Sequence, residues 1–266
     1  SSDVCSSDLS NDSQLAKDMS NLCDIFVNEA FSSSHRAHAS NYGVAQNCKT
    51  KAPGPLFLSE IQALHKIIKK NESPSVAIIG GSKISTKTAL IRNLSRKVDH
   101  LILGGGIANL IIKARGFQIG QSLFEETAFE ETCRMIKDID NIIFPVDVVC
   151  ANEFSKMATG TVKSLNEIDE NDIILDFGPK TLEKIESKLR SARTILWNGP
   201  LGVFEFDNFA YGTRTMAKLI AESSAFSVAG GGDTIASIEK FRVSEKISYI
   251  STAGGEIRFN FMNDNI

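Results

Sequence analysis

The chain lacks any apolar run approaching the roughly 20 residues that a membrane-spanning helix needs. No charged-then-apolar segment of signal type opens it. A cytoplasmic protein without a membrane partner is expected. An excess of charge is also missing: 29 Lys and Arg stand against 32 Asp and Glu, a net charge of −3. Nucleic acids and anionic lipid surfaces call for a broad basic field, so neither is an expected partner. Cysteine is sparse, with five residues and no C-x-x-C pair. That excludes the disulfide framework of a small secreted domain and suggests reduced cytosolic thiols. Cys23 and Cys150, beside Leu22 and Val149, read as core fillers. The four histidines carry no metal signature: His35 and His38 are close, but no second ligand pair stands at a plausible spacing. Zinc is not expected.

What is present is the composition of a globular protein, 42% hydrophobic and 23% charged over 266 residues, enough for one large or two modest cores. From about Ser75 onward, short β-branched runs alternate with helical periods. Ser75–Ile79 is a continuous apolar run ending at Gly80-Gly81, as a buried parallel strand does. Leu90, Leu94 and Val98 then fall on one helical face, with Ile91 beside them. Further strands are expected at 101–103, 142–149, 173–175, 194–197, 226–229 and 247–250. Helices are expected after Gly104-Gly105-Gly106, to about Ala114, and over Pro179–Ala192, where Pro179 suits a first turn. This alternation predicts an α/β fold, a parallel sheet flanked by helices on both faces.

Upstream, 24–28 reads as a strand and 31–42 as a polar loop. Ser59-Glu60-Ile61-Gln62 is a capping box that would open a helix at Glu60. Residues 1–9, without structural period, are expected to be a leader of non-native origin. The helix reads as a connector between an N-terminal domain and the α/β domain.

Ligands of open α/β sheets bind beyond the carboxyl ends of the strands. Four of those ends are glycine-rich here: Gly80-Gly81-Ser82-Lys83, Gly104-Gly105-Gly106, Asn198-Gly199-Pro200 and Gly230-Gly231-Gly232-Asp233. Glycine lets backbone amides approach a ligand, and the helix that follows offers free N–H groups to an anion. One such cluster would be a tight turn; four at one edge describe a site for a phosphate-rich ligand. A Walker A loop fails because Ser82 separates Gly81 from Lys83, and a dinucleotide fingerprint fails because Asn109 follows Ala108. A nicotinamide-dependent dehydrogenase is correspondingly disfavoured.

The strings GGSKISTK (80–87), LILGGGIAN (101–109), TILWNGPLGVFEF (194–206), VAGGGDT (228–234) and KISYIST (246–252) occur in this order. VNEAFSSSHRAHAS (27–40) and GPLFLSEI (54–61) precede them. From about Asn11 to Thr252 the chain resembles phosphoglycerate kinase, with wording nearest its bacterial members. The resemblance implies a monomeric glycolytic kinase that moves a phosphoryl group reversibly between 1,3-bisphosphoglycerate with ADP and 3-phosphoglycerate with ATP, using Mg²⁺. It covers the nucleotide lobe and only the tail of the substrate lobe, and so implies a remnant of the substrate lobe, of α/β type, over 10–55, an interdomain helix over 56–72, a nucleotide-binding lobe over 73–252 and a divergent tail over 253–266. No Arg-x-Asp-x-Asn-Val-Pro segment occurs, and Ser251-Thr252-Ala253-Gly254-Gly255 departs from the usual Ser-Thr-Gly-Gly-Gly. An N-terminally truncated copy with a divergent end is therefore expected. Its second reading is a non-catalytic nucleotide-binding fragment.

The resemblance puts Lys83 on the transferring group and Lys87 on the nucleotide phosphates; two solvated lysines are the alternative. It implies catalytic backbone at Gly231 and Gly232, which with Gly105, Asn198, Asp233 and Thr234 would hold the nucleotide. Asp233 would also meet Mg²⁺, unless it is an ordinary first-turn acid. Glu205 would accept hydrogen bonds from the ribose, while Phe204 and Phe206 read as packing residues. Arg36, with His35 alongside, would hold the phosphate of 3-phosphoglycerate.

Overall fold

The computed structural model describes residues 2–34, 36–69 and 72–251, and the chain divides into two compact units between Lys66 and Ile67. The first unit contains α1 (Ser2–Leu9), α2 (Ser13–Ser20), β1 (Ile25–Asn28), α3 (Val44–Asn47), β2 (Thr50–Pro53) and the start of α4 (Pro55–Lys69). β1 and β2 are parallel, from Ile25 opposite Thr50 to Asn28 opposite Pro53. Asp12 caps α2 by accepting from the Leu15 N–H at 2.8 Å. Three sequence expectations change here.

The first concerns Ser2–Leu9, which forms a helix although its sequence has no helical period. Its support is tertiary, since Asp8 accepts from the Ser40 N–H at 2.7 Å. The second concerns α4, which starts at Pro55, five residues before the expected Glu60. Proline at a first helical position loses no hydrogen bond. Glu29, distant in sequence, accepts from the Phe57 N–H at 3.0 Å and so caps the helix. Ser59 lies inside the helix, donating to the Leu56 carbonyl at 2.7 Å. The third concerns Cys23, which is exposed and thus no core filler; its sulfur lies 3.9 Å from that of the buried Cys48.

The second unit contains β3 (Ser75–Ile79), α5 (Thr88–Ser95), β4 (His100–Leu103), α6 (Gly106–Ala114), α7 (Phe129–Lys137), β5 (Asp147–Ala151), β6 (Thr161–Ser164) and β7 (Ile173–Phe177). It continues with α8 (Pro179–Ser191), β8 (Thr194–Asn198), α9 (Tyr211–Glu222), β9 (Phe226–Gly230), α10 (Gly232–Phe241) and β10 (Tyr249–Ser251). Five strands form a wholly parallel sheet in the order β10-β9-β8-β3-β4. Every residue of β3 and β8 is buried, so both faces of the sheet are covered. That burial is what their unbroken apolar runs encode. Val76, Ile78, Ile195 and Trp197 are at most 1% exposed and belong to the main core, each contributing roughly 1.5–3 kcal/mol of hydrophobic stabilisation.

Two strands depart from the all-parallel expectation. β5 and β7 pair antiparallel in a separate sheet, β6-β5-β7, and Ile142 makes only a single bridge to Leu101. The link over 152–160 is too short for a parallel crossover, which needs about a dozen residues, so β5 and β6 turn back on each other. Among the described residues no helix is long and apolar enough to cross a membrane.

Candidate functional site

From β3 the chain steps to β4 on one side, whereas β8 joins β3 on the other. The order reverses between β3 and β8, and a crevice opens there at the carboxyl ends. Backbone meets backbone at this point. A Cβ on Gly80 would come 1.9 Å from the Pro200 carbonyl oxygen, one on Gly105 2.8 Å from Gly81 O, and one on Gly106 2.7 Å from Ser82 O. Gly81, Gly105, Gly199 and Gly231 all have φ between +64° and +145°, the region glycine tolerates. The glycines thus let three loops close on one another, and they frame a cavity of about 500 Å³.

Of the sequence-predicted residues, Gly105, Glu205 and Asp233 line this cavity. Leu123, Leu201, Val203, Phe154 and Phe206 also line it, the last two with ring centroids 5.0 Å apart. Phe206 therefore faces the cavity, whereas Phe204 is buried as packing. The chain segments around Lys83, Gly105, Asn198, Glu205 and Gly231 come together at one sheet edge. Gly231 caps α10 and is followed by Gly232, where a Cβ would meet nothing within 4 Å. The first N–H groups of α10 have no acceptor within the helix and open beside Asp233.

Three predicted ligand contacts lie behind the wall instead. Lys87 is buried, its ammonium donating to Gly80 O, to Asn198 Oδ1 at 2.7 Å and to Asn198 O at 3.3 Å. Three acceptors match the three protons of an ammonium. Asn198 uses its other end on Gly230 O at 2.7 Å. The buried Thr234 hydroxyl accepts from the Gly199 N–H at 2.7 Å and donates to Gly230 O at 2.9 Å. These side chains lock the ends of β3, β8 and β9 together, and their inward direction follows from unsatisfied strand-end carbonyls that need donors. Lys87→Ala is accordingly expected to destabilise the ligand-free chain by about 1–3 kcal/mol, because it takes the ammonium donor from Gly80 O and Asn198 Oδ1; a urea melt reads this. A solvated lysine would shift the melt by less than about 0.5 kcal/mol.

Lys83 is exposed on the loop before α5. Nearby Glu125 is held below the usual carboxyl range, first by the Ser85 hydroxyl and N–H, with a smaller pull from Lys83. Arg36 is exposed in the first unit, on a loop pinned by Asn41, which donates to Ser33 O at 2.9 Å. His35 lies outside the described residues.

Sequence reasoning missed Lys240 of α10. Its ammonium donates to Phe204 O at 2.8 Å and Glu205 O at 3.2 Å, and pairs with Asp207 at 2.7 Å. It fixes the loop that presents Glu205, and nothing in its local sequence distinguishes it from a surface lysine.

For Mg²⁺ the donor set fits a phosphate-borne ion. Mg²⁺ takes one or two carboxylates and completes its shell with phosphate oxygens and water. Asp233 supplies an exposed carboxylate at the cavity, and among the described residues no group of three or more potential ligands forms a cage.

An open parallel sheet with amide-rich glycine loops at its switch point defines a protein of the doubly wound α/β class, whose ligands bind in that crevice. Comparison with known proteins is more specific. Residues 4–262 match the family described as phosphoglycerate kinase, and the chain belongs to that family. The phosphoglycerate kinase of Francisella philomiragia is 52% identical over 248 residues, covering 92% of this chain. The structure of phosphoglycerate kinase from Coxiella burnetii superposes with a TM-score of 0.91 at 44% identity, over 97% of this chain and 67% of that one. The enzyme from Pyrococcus horikoshii gives 0.80 at 30% identity, over 94% and 65% respectively. The chain spans 63% of the length of the Francisella philomiragia protein.

Proposed function

We propose that the chain carries the nucleotide half of a phosphoglycerate kinase, acting in reversible phosphoryl transfer between 1,3-bisphosphoglycerate and ADP. The observation that carries this is the convergence of four glycine-rich strand ends on one cavity with Glu205 and Asp233 at its edge. The apolar wall of Leu201, Val203 and Phe206 suits a flat base, and Glu205 suits ribose hydroxyls. The N–H groups of Gly231, Gly232 and Asp233 suit the phosphates. Mg²⁺, held by Asp233 and the phosphates, would neutralise charge on the transferring group. Lys83, exposed on the loop beside the cavity-lining Gly81 and Ser82, is assigned the same task. Lys87, Asn198 and Thr234 contribute by holding the strand ends in register. Arg36 and His35 are assigned to the carboxylate substrate, 3-phosphoglycerate. A cytoplasmic, monomeric protein is part of this proposal.

Phosphoryl transfer asks for positioning and charge neutralisation rather than a covalent intermediate, and backbone amides supply both without moving. Saturating Mg-ADP is expected to raise the melting temperature. At a hundredfold excess over Kd the stabilisation is about 2.7 kcal/mol. Asp233→Ala should leave the ligand-free melt nearly unchanged, because its carboxylate is exposed, yet shrink the Mg-ADP increment by more than half. Thermal denaturation of both proteins, with and without ligand, measures this. An undiminished increment in Asp233→Ala would place the nucleotide elsewhere.

A further inference from the structure

Asp176, the penultimate residue of β7, borders the same cavity and is 2% exposed. Its two oxygens accept from backbone: Oδ2 from the Gly212 N–H at 2.7 Å, Oδ1 from the Phe177 N–H at 2.9 Å. The Gly212 contact grips the first turn of α9. In the next position the Thr213 hydroxyl accepts from the Leu201 and Gly202 N–H groups at 3.1 and 3.4 Å. Leu201, Gly202 and Val203 are the cavity wall. The fit is close: a Cβ on Gly202 would lie 2.5 Å from Asp176 Oδ1, and one on Gly212 2.3 Å from it. Asp176 is therefore linked to the cavity wall by a short chain of contacts through α9.

We propose that Asp176 is a positioning residue of the nucleotide site: its ionised carboxylate anchors α9 and, through Thr213, the 201–206 wall, so nucleotide affinity falls when the carboxyl takes up a proton. This rests on the nucleotide assignment above. The physical reason is the donor geometry. Both oxygens already face N–H donors, and a carboxylate is an acceptor at both. A proton added to either oxygen must oppose one of those N–H groups or go without a partner, and the grip on Gly212 or Phe177 loosens.

Burial pushes the Asp176 carboxyl up to about 7, against the two backbone N–H groups and the charge of Arg214, which pull it down. Arg214 faces it from α9, its buried Nε without a partner. On β5, Asp147 turns away into the start of α8, accepting from the Thr181 N–H at 2.7 Å. Glu205 and Asp233 share the cavity. Lowering the pH through about 7 protonates Asp176, so affinity should fall on the acid side.

The test is the Kd of ADP by calorimetry between pH 6 and 8, for the wild-type chain and Asp176→Asn. Phosphate groups titrate near pH 6 themselves, and dividing the wild-type profile by the Asp176→Asn profile removes that shared contribution. The quotient is expected to rise about tenfold from pH 8 to pH 6, as for one group titrating near 7 that must be ionised for binding. A flat or inverted quotient overturns the proposal. Should Asp176→Asn fail to fold, the carboxyl carbon shift of Asp176 in the wild-type chain decides. Saturating ADP must move its titration midpoint to lower pH by reciprocity, and an unmoved or raised midpoint overturns it. Failure of wild type to bind ADP at pH 8 would refute the nucleotide assignment and this proposal together. ADP binding with the same profile in both proteins would refute only the role of Asp176.

Discussion

Expressed by itself, the 266-residue chain is expected to bind Mg-ADP yet turn over 3-phosphoglycerate and Mg-ATP at least about 10³-fold more slowly than the Francisella philomiragia phosphoglycerate kinase. Two anionic substrates must be brought in line, and positioning accounts for much of the rate in such reactions. On the proposed nucleotide side, amides, carboxylates and an apolar wall meet at one cavity between Gly80 and Thr234. On the carboxylate-substrate side the sequence offers Arg36 and His35, and no Arg-x-Asp-x-Asn-Val-Pro string occurs anywhere in the 266 residues. Loss of a single positioned arginine in phosphoryl transfer can cost about 10³-fold or more. A coupled assay of both proteins under the same conditions measures the ratio. Turnover within about tenfold of the Francisella protein would show that this chain's own residues suffice.

The other large effect is expected from Gly80→Ala. The new methyl would sit 1.9 Å from the Pro200 carbonyl oxygen and 2.7 Å from the Gly199 carbonyl carbon, both backbone. Neither can rotate away as a side chain would. The Gly80 N–H also donates to Asn198 O at 2.9 Å, so the ends of β3 and β8 must part. A loss of roughly 3 kcal/mol or more follows, equivalent to a fall in melting temperature of roughly 6–12 °C for a chain of this size. Surviving folded protein should bind ADP more than about tenfold more weakly, because the displaced Pro200 and Leu201 form the cavity wall. Gly232→Ala provides the contrast. Its Cβ has open space, so the fold is unaffected, while a methyl now stands where phosphates would approach α10. Equal melting temperatures for wild type and Gly80→Ala would contradict the close packing of the strand ends.

Much of this was legible without coordinates of any kind. Unbroken apolar runs at 75–79 and 194–198 announced strands buried on both faces, because only such strands need no polar side. Glycine clusters at their carboxyl ends announced where amides would be exposed, and the order of the motifs placed the chain in its family. The expected helix start at Glu60 was displaced because Glu29, remote in sequence, caps α4 at Phe57 instead. The antiparallel sheet was missed because β6, exposed on half its residues, has no apolar run to announce it.

The sequence by itself determined the alternation of strands and helices, the glycine-lined edge and the residue types available there, since each is a property of a local stretch. Only the tertiary structure decided which of those residues face the cavity. Lys87 and Asn198 are 111 positions apart, and their pairing turns both away from the cavity. Asp176 reaches Gly212 across 36 positions, and Lys240 reaches Phe204 across the same separation. Side-chain direction at a strand end is set by which buried carbonyls and N–H groups need partners. Those groups come from neighbouring strands, whose identity is fixed by strand order and not by any local pattern.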